Sequence, residues 1–479
     1  MLFNSLEFLC LFLPVALALC LALPWRNAAL LTVSLAFYAW GEGAYLLVLL
    51  GSIALNHGCG LLVAAPGRRG ACWLALGIAA NLALLGWFKY AVFLQTALLR
   101  PLGLLEGEAP LGGGHLPLGI SFFTFQCISY LVDVRRGLVP ADRDPLRFAT
   151  YVALFPHLLA GPIVRYAEVA EALRRRQSSL LLFGLGLRIA LLGLMQKVLL
   201  ADQLAPVADR LFALPPDLLP AGAAWFGAAA FSLQIYFDFA GYSNMAIGLA
   251  LMLGFRFPRN FERPYAAQSL TEFWRRWHIT LSRWFRDYLY RPLGGNRRGR
   301  LTTLRNLLLV FLLCGLWHGA AWTFVAWGLA HGAVLVLERA VLGRALARAW
   351  RPLRHLYLHL VLLPTWVLFR ANDLDHALDY LGAMLGQGRP PDAWVALGEY
   401  LRPGVLLPFL AGLLAAVLPP PRALAEQFPE ATAAEAAGLA RAARRPLAWA
   451  LVPLLALGLA ACLTLLVADS ERPFLYFRF

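Results

Sequence analysis

One histidine lies deep inside an apolar run of the sequence. His318 stands in LLLVFLLCGLWHGAAWTFVAWGLAHG, directly after Trp317. An ionisable side chain in such a run is costly to bury and marks a functional site by default. A neutral imidazole has a pKa near ambient pH, so in a water-poor site it is suited to take the proton of a hydroxyl group. The alternative is a core histidine bonded to a neighbouring helix; His331, near the other end of the segment, is expected to be structural.

A strongly basic segment precedes this histidine. Residues 256–305 hold twelve arginines and three acids, a net charge of +9. Arginine offers phosphate a planar fork of several donors. Arg275, Arg276 and Arg283 are therefore candidates for binding a phosphate-bearing acyl donor such as acyl-CoA. The alternative is a surface helix that lies on anionic lipid headgroups.

Aromatic residues within the basic segment recur at three- and four-residue spacing. Such spacing predicts one helix with an aromatic face, capped by Ser269 or Thr271 and ended by PLGGNRRGR. His278 on this face either polarises the donor or simply packs there. The face comprises Trp274, Trp277, His278, Leu281, Trp284, Phe285 and Tyr288. Of these, Trp274 and Trp277, together with Trp317, are candidate substrate contacts.

A second apolar run, FSLQIYFDFAGYSNMAIGLALMLGF, carries polar residues that also need an explanation. Asp238 within a span is expected to face a cavity or to pair with an arginine. A substrate-binding role and a buried structural pair both remain open for this aspartate. Asn244 is a further candidate for substrate binding.

The chain ends in FLYFRF, an aromatic hexapeptide unlike most solvated termini. One interpretation is an anchor at the lipid interface, where aromatic residues are enriched. The other is a tail that folds back into a cavity from the outer face. In that case the Tyr476 hydroxyl would need His318 to remove its proton, because phenols ionise only near pH 10, and Arg478 would favour the phenolate.

The elements that must position these residues are membrane helices. The 479 residues are 60% hydrophobic and 14% charged, with a mean hydropathy of +0.64, which excludes ordinary soluble domains and disorder. Long unbroken apolar runs exclude a β-barrel. The prediction is an all-α polytopic membrane protein of one domain, residues 1–479, with about ten to twelve transmembrane helices plus re-entrant and interfacial helices. It includes an exposed or interfacial helix over 423–445, a last span at 446–468 and an outer-face tail at 469–479.

Arginine-rich connections predict the orientation, because cytoplasmic loops collect arginine. The candidate cytoplasmic segments are Arg68–Arg69, Arg174–Arg176, Arg344–Arg354 and Arg441–Arg445, which leaves the N-terminus and the tail outside. The charge of +15 therefore indicates membrane lipid, not nucleic acid, as a partner. The cysteines form no CxxC pair, and no serine-hydrolase elbow, P-loop or metal-ligand cluster occurs. No metal and no permanently bound cofactor is expected.

Five motifs together resemble the membrane-bound O-acyltransferase family. They are SFFTFQCISYLVDVRRG, LFPHLLAGPIVRY, LQIYFDFAGYSNMAIGLALMLGFRFPRNF, TEFWRRWHITLSRWFRDYLYRPLGGNRRG and GLWHGAAWTFVAWGLAHG, covering roughly residues 120–330 in order. The similar branch acts in bacterial alginate and peptidoglycan O-acetylation and in teichoic-acid D-alanylation. The resemblance implies a multi-helix bundle, in which His278 and His318 are the signature histidines and His318 lines a tunnel. It also implies that Tyr476 takes the acyl group transiently and that Arg478 supports it.

The function that the resemblance implies is an O-acetyltransferase of the bacterial inner membrane. Cytosolic acetyl-CoA would be the acyl donor, and an extracytoplasmic polysaccharide such as alginate, another exopolysaccharide or peptidoglycan would be the acceptor. Because the chain carries no serine-hydrolase motif, a secreted, esterase-like partner is expected to complete the transfer. The alternatives are a D-alanyl, lipid or protein acyltransferase, or a transporter or flippase of an anionic polymer or lipid.

Overall fold

The computed structural model describes residues 2–103, 115–388, 402–419, 446–468 and 472–475, together with Gly398 and Tyr400. Within these residues the protein is all-helical, without a β-strand. Five helical stretches are long and apolar enough to cross a membrane, and they are Arg26–Val63, Gly67–Ala97, Leu180–Ala213, Arg300–His318 and Trp322–Arg348. Shorter apolar helices cover Phe8–Ala22, Pro403–Val417 and Val452–Ala468. The all-α polytopic class is thereby confirmed, while the count of ten to twelve crossings stays a prediction.

The described residues divide into two compact units. The first comprises residues 2–103, 115–192, 242–259 and 446–455, and the second comprises most of the remainder, including both His278 and His318. A single domain over the whole chain stays a prediction. A helix, Pro446–Ala468, occupies the predicted last span, and its crossing of the membrane stays a prediction. The predicted helix over 423–445 and its arginines Arg441–Arg445 lie outside the described residues.

Helices of the first unit include two that pack through reciprocal polar contacts. Asn56 and Asn81 exchange side-chain hydrogen bonds of 3.1 and 2.7 Å between neighbouring apolar helices, which satisfies both buried amides. The α-helices are Leu13–Ala22, Arg26–Glu42, Leu46–Val63, Gly67–Leu85, Ala91–Leu94, Ile120–Arg135, Pro145–Ala153, Phe155–Leu158 and Tyr166–Arg174. The Leu180–Met195 and Ala221–Met252 helices contribute residues to both units.

Helices of the second unit surround the two signature histidines. The α-helices are Asp202–Ala213, Leu270–Arg276, Ile279–Phe285, Arg300–His318, Trp322–Leu337, Gly343–Arg348, Arg351–Arg370, Leu374–Met384 and Pro403–Val417. Six π-helical segments interrupt or extend helices of the two units, among them Arg286–Tyr290 and Glu338–Leu342. Such segments are frequent at functional sites, and both of these border the cavity described below.

The prediction of a single helix for the basic segment is wrong. The segment forms two helices, Leu270–Arg276 and Ile279–Phe285, that are separated at Trp277 and His278. His278 has φ +41° and ψ +54°, a left-handed conformation that is strained for any residue with a Cβ atom. The predicted cap is confirmed, since the Ser269 hydroxyl accepts the Glu272 N–H at 3.1 Å.

Glycines let the His318 helix lie against the next helix. A Cβ atom at Gly315 would overlap the Phe324 carbonyl oxygen, and one at Gly319 would overlap the Phe324 ring. The backbones of Arg300–His318 and Trp322–Leu337 therefore approach more closely than larger side chains permit. This close approach brings His318 against Trp327 of the second helix.

Candidate functional site

His318 ends its helix inside a cluster of aromatic rings. The residue is 4% exposed, and its ring centroid lies 5.0 Å from Trp317, 5.1 Å from Trp327 and 5.3 Å from Phe369. All three rings meet the imidazole nearly edge to face. The three rings shield the imidazole from solvent and limit its orientation.

Trp317 joins the two signature histidines. Its ring centroid lies 6.1 Å from His278 and 5.0 Å from His318. Both histidines thus lie next to one indole, although forty residues separate them in the sequence, and their catalytic roles stay predictions. The indole between them is also buried, so the candidate contact Trp317 lies within this site.

Asn260 orients His278. The Nδ1 atom of His278 lies 3.1 Å from the Asn260 Oδ1 atom, which also accepts the Thr280 N–H at 3.3 Å and the Thr280 hydroxyl at 2.8 Å. Burial lowers the pKa of His278 to about 3, so the ring is neutral near pH 7. With Nδ1–H donating to Asn260, the lone pair of the neutral ring resides on Nε2.

A cavity of about 290 Å³ opens beside the two helices of the basic segment. Its apolar wall includes Trp274, Phe285 and Phe311, and three arginines, Arg275, Arg286 and Arg339, also line it. Arg275 and Arg339 form no ion pair within the described part of the chain. The cavity therefore combines apolar walls with cationic groups, which suits a ligand with an apolar arm and an anionic end.

Two helical stripes run from the cavity toward His318. Leu307, Phe311 and Cys314 line the cavity, and His318 follows Cys314 by four residues, one helical turn, on the same face. On the neighbouring helix Arg339 and Leu335 line the cavity. The same four-residue spacing continues from them through His331 and Trp327, and the Trp327 ring contacts His318. His318 does not itself line the cavity, which ends about one turn away.

Glu338 holds the helix that forms one wall of this cavity. Its buried carboxylate accepts the Leu270 N–H at 2.6 Å, the Thr271 N–H at 2.9 Å and the Thr271 hydroxyl at 2.6 Å. Tyr357 adds a fourth donor at 3.1 Å. An acceptor at the first turn of the Leu270–Arg276 helix satisfies N–H groups that have no partner within the helix. Glu338 therefore positions Trp274 and Arg275, which lie one turn further on.

We expect Glu338→Leu to lower the free energy of unfolding by about 2–4 kcal/mol, because buried donors left without an acceptor cost ~1–3 kcal/mol each. Chemical denaturation in detergent micelles measures this change. The matched control is Glu272→Gln, which loses a half-exposed pair with Arg276 and is expected to cost less than ~1 kcal/mol. Equal effects of the two substitutions would contradict the role assigned to Glu338.

The other candidates of the basic segment lie away from the cavity wall. Arg276 pairs with Glu272 at 2.7 Å, and Arg283 is exposed on its helix. Trp277 is fully buried and packs on Phe273 and Trp366, with ring centroids 5.4 and 5.1 Å away. Of the five predicted donor-binding residues in this segment, Trp274 and Arg275 are thus the two that line the cavity.

Asp238 belongs to a buried charge network. Its carboxylate accepts hydrogen bonds from Lys197 Nζ at 2.6 Å and from the Leu475 backbone N–H at 2.8 Å. The same Nζ atom lies 2.7 Å from Asp202. The partner is therefore a lysine, whereas the sequence analysis expected an arginine. The network binds a segment close to the C-terminus, since Phe474 and Leu475 are 1% and 4% exposed.

This terminal segment lies close to His278. The Phe474 ring centroid is 5.6 Å from Phe239, and the Phe239 ring is 4.6 Å from His278. Tyr476 and Arg478 lie outside the described residues, so their roles stay predictions. Asn244 is partly buried and belongs to the first unit, and its role in substrate binding also stays a prediction.

Sequence reasoning missed three residues that position the site. Asn260, Lys197 and Glu338 are polar residues next to apolar segments, a pattern that the histidines and Asp238 also show. Lys197 offered a usable signal, because it is one of two lysines in the chain and stands in an apolar run. The partners of Asn260 and Glu338 are 18 and 67–68 residues away in the sequence. Residue spacing therefore could not predict these contacts.

Comparisons with known proteins match a family model and several relatives. The family model described as MBOAT, membrane-bound O-acyltransferase family, matches residues 118–353. The probable alginate O-acetylase AlgI of Azotobacter vinelandii is 47% identical over 81% of this chain and 79% of its own length. The peptidoglycan O-acetyltransferase of Helicobacter pylori is 38% identical over 81% of this chain and 80% of its own length. A teichoic acid D-alanyltransferase of Streptococcus thermophilus is 29% identical over 53% of this chain and 65% of its own length.

Proposed function

We propose that this chain, which belongs to the membrane-bound O-acyltransferase family, passes an acetyl group from cytosolic acetyl-CoA across the bacterial inner membrane for O-acetylation of a polysaccharide. Membership of the family makes it a multi-pass membrane O-acyltransferase. Relatives named for alginate and peptidoglycan acetylation support the acetyl group and a polysaccharide acceptor.

The observation that carries the proposal is the cavity, together with the two helical stripes that lead from its lining residues to His318. Arg275, Arg286 and Arg339 supply cationic groups at the cavity, where the phosphates of the donor would bind. The volume of about 290 Å³ is near the lower limit of small-molecule sites, ~300–1,000 Å³, and accommodates an arm of the donor with the nucleotide outside. The arm would extend along the helical stripes and place its thioester at His318.

His318 acts as the general base in this mechanism. It takes the proton of the attacking hydroxyl, whose oxygen forms a bond to the thioester carbonyl carbon. Collapse of the tetrahedral intermediate breaks the carbon–sulfur bond, and the proton passes to the departing thiolate to give free CoA. The ring contacts of His318 keep water out, which limits hydrolysis of the thioester.

The C-terminal segment is the proposed carrier of the hydroxyl. Phe474 and Leu475 are buried, and the Phe474 ring lies next to the Phe239 ring, which contacts His278. Tyr476 directly follows these two residues in the sequence. Tyr476 would take the acetyl group, and Arg478 would stabilise its phenolate. An esterase-like partner outside the membrane would then move the group to the polysaccharide.

Purified protein supplied with radiolabelled acetyl-CoA tests the proposal. We expect release of CoA and an acetyl adduct on Tyr476 in intact and fragment mass spectra, and Tyr476→Phe is expected to abolish the adduct. Parallel reactions with D-alanyl and long-chain acyl donors test the other acyltransferase activities. If the protein does not turn over the thioester but transports an anionic polymer or lipid in proteoliposomes, the transporter alternative is favoured.

Arg275→Gln is expected to raise the KM for acetyl-CoA about tenfold with little change in kcat, because an arginine–phosphate contact is worth ~1.5–3 kcal/mol in both the bound and the transition state. Steady-state kinetics measures both constants. Arg276→Gln is the matched control, since the neighbouring arginine is paired with Glu272 and does not line the cavity. A larger effect at Arg276 than at Arg275 would contradict donor binding in this cavity.

A further inference from the structure

We propose that His331 and Trp327 are catalytic hydrogen-bond donors that bind the carbonyl oxygen of the acyl group during attack on the thioester. The inference rests on the proposed function, because it assigns the oxyanion-binding groups of that same site. Neither residue was predicted to contact substrate, and His331 was expected to be structural.

The tautomer of His331 follows from its partner. The Trp274 Nε1 atom lies 3.2 Å from His331 Nδ1, and an indole N–H can only donate. Nδ1 of His331 is therefore the acceptor, and a neutral ring carries its proton on Nε2. Among the described residues this Nε2–H has no acceptor, although His331 is fully buried.

A second buried donor lies next to it. Trp327 is 1% exposed, and its Nε1–H also has no acceptor in the described part of the chain. The two ring centroids are 4.7 Å apart, and the Trp327 ring is 5.1 Å from His318. A buried N–H without an acceptor costs ~1–3 kcal/mol, so two such donors one turn apart on the same helix indicate a site that an oxygen atom occupies during function.

Both donors lie on a helical stripe that begins at the cavity. Arg339, Leu335, His331 and Trp327 follow one another at four-residue spacing, and the first two line the cavity. At ~1.5 Å per residue this stripe extends about 18 Å along the helix axis, the order of length of an extended pantetheine arm. A donor whose phosphates bind at Arg339 would thus bring its thioester to His331, Trp327 and His318.

The chemistry of acyl transfer requires such donors. When the nucleophile oxygen bonds to the carbonyl carbon, the π electron pair moves to the carbonyl oxygen, which becomes an oxyanion. Hydrogen bonds from His331 Nε2–H and Trp327 Nε1–H stabilise this charge in a water-poor site. As the pair returns to re-form the carbonyl bond, the thiolate leaves and accepts the proton held by His318.

Trp327→Phe removes one donor and keeps an aromatic ring against His318. We expect kcat to fall about 100-fold with KM unchanged, the effect of losing one oxyanion donor. Trp366→Phe is the matched control, because Trp366 lies in the same cluster, 6.3 Å from Trp327, and is expected to retain most activity. His331→Gln, which keeps an acceptor and a donor, is expected to retain more activity than His331→Leu.

A vibrational measurement separates hydrogen bonding from packing. In the His318→Ala background, which slows turnover, carbonyl-labelled acetyl-CoA is expected to bind with a lowered carbonyl stretching frequency that rises again when Trp327→Phe is added. If the wild type turns over but Trp327→Phe and Trp366→Phe lose kcat equally, the assignment of the two donors is overturned. An unshifted carbonyl band in a protein that turns over would overturn it as well. Both results would leave the proposed function intact. Failure of the wild type to use any acyl thioester would instead overturn the proposed function.

Discussion

His318→Ala is expected to lower acetyl transfer from acetyl-CoA by about 10²–10⁴-fold, the usual contribution of a general base. The imidazole is enclosed by Trp317, Trp327 and Phe369, so neither solvent nor another ring of the cluster can replace it as a proton acceptor. Single-turnover kinetics of the purified protein measures the loss in the chemical step, while donor binding by equilibrium dialysis is expected to change little.

The control is His376→Ala, because His376 lies on the Leu374–Met384 helix and contacts Tyr380 of that helix and Phe212 of the Asp202–Ala213 helix. This variant is expected to keep wild-type turnover. Thermal unfolding in detergent establishes that both variants are folded. A folded His318→Ala protein with undiminished transfer would remove the central residue of the proposed mechanism.

Lys197→Met is expected to lower the free energy of unfolding by about 3–5 kcal/mol, the cost of removing one partner of a buried ion pair. Lys197 is 3% exposed and neutralises Asp238 and Asp202, so its loss leaves two carboxylates together in the interior. Because Asp238 also accepts the Leu475 N–H, the segment 472–475 is expected to loosen. Denaturation in micelles measures the first effect, and chymotryptic cleavage after Phe474 measures the second.

Two variants make this result specific. Asp209→Asn removes a part-exposed pair with Arg370 and is expected to cost less than ~1 kcal/mol. Adding Asp202→Asn and Asp238→Asn to Lys197→Met removes the unpaired charges and is expected to recover much of the stability. If Lys197→Met is as stable as Asp209→Asn and its Phe474 site stays protected, the network does not hold the terminal segment.

The sequence alone can single out a residue when the cost of burying it is a property of the residue itself. An ionisable group in an apolar run, such as His318 or Asp238, is exceptional in any fold, so both could be singled out without coordinates. The prediction failed for the helix through Trp274 and His278. Helical spacing persists on both sides of a break, and the left-handed conformation of His278 is held by contacts with Asn260, eighteen residues earlier.

The amino-acid sequence by itself determined that this is an all-α, multi-pass membrane protein, because apolar length and low charge depend on composition and not on packing. It also determined the family, through five ordered motifs that the comparisons bear out. Only the tertiary structure decided which polar groups meet. Lys197 rather than an arginine neutralises Asp238, Glu338 holds the helix of Trp274, and His331 receives the Trp274 N–H. These pairings depend on distances between helices, and no local pattern encodes such distances.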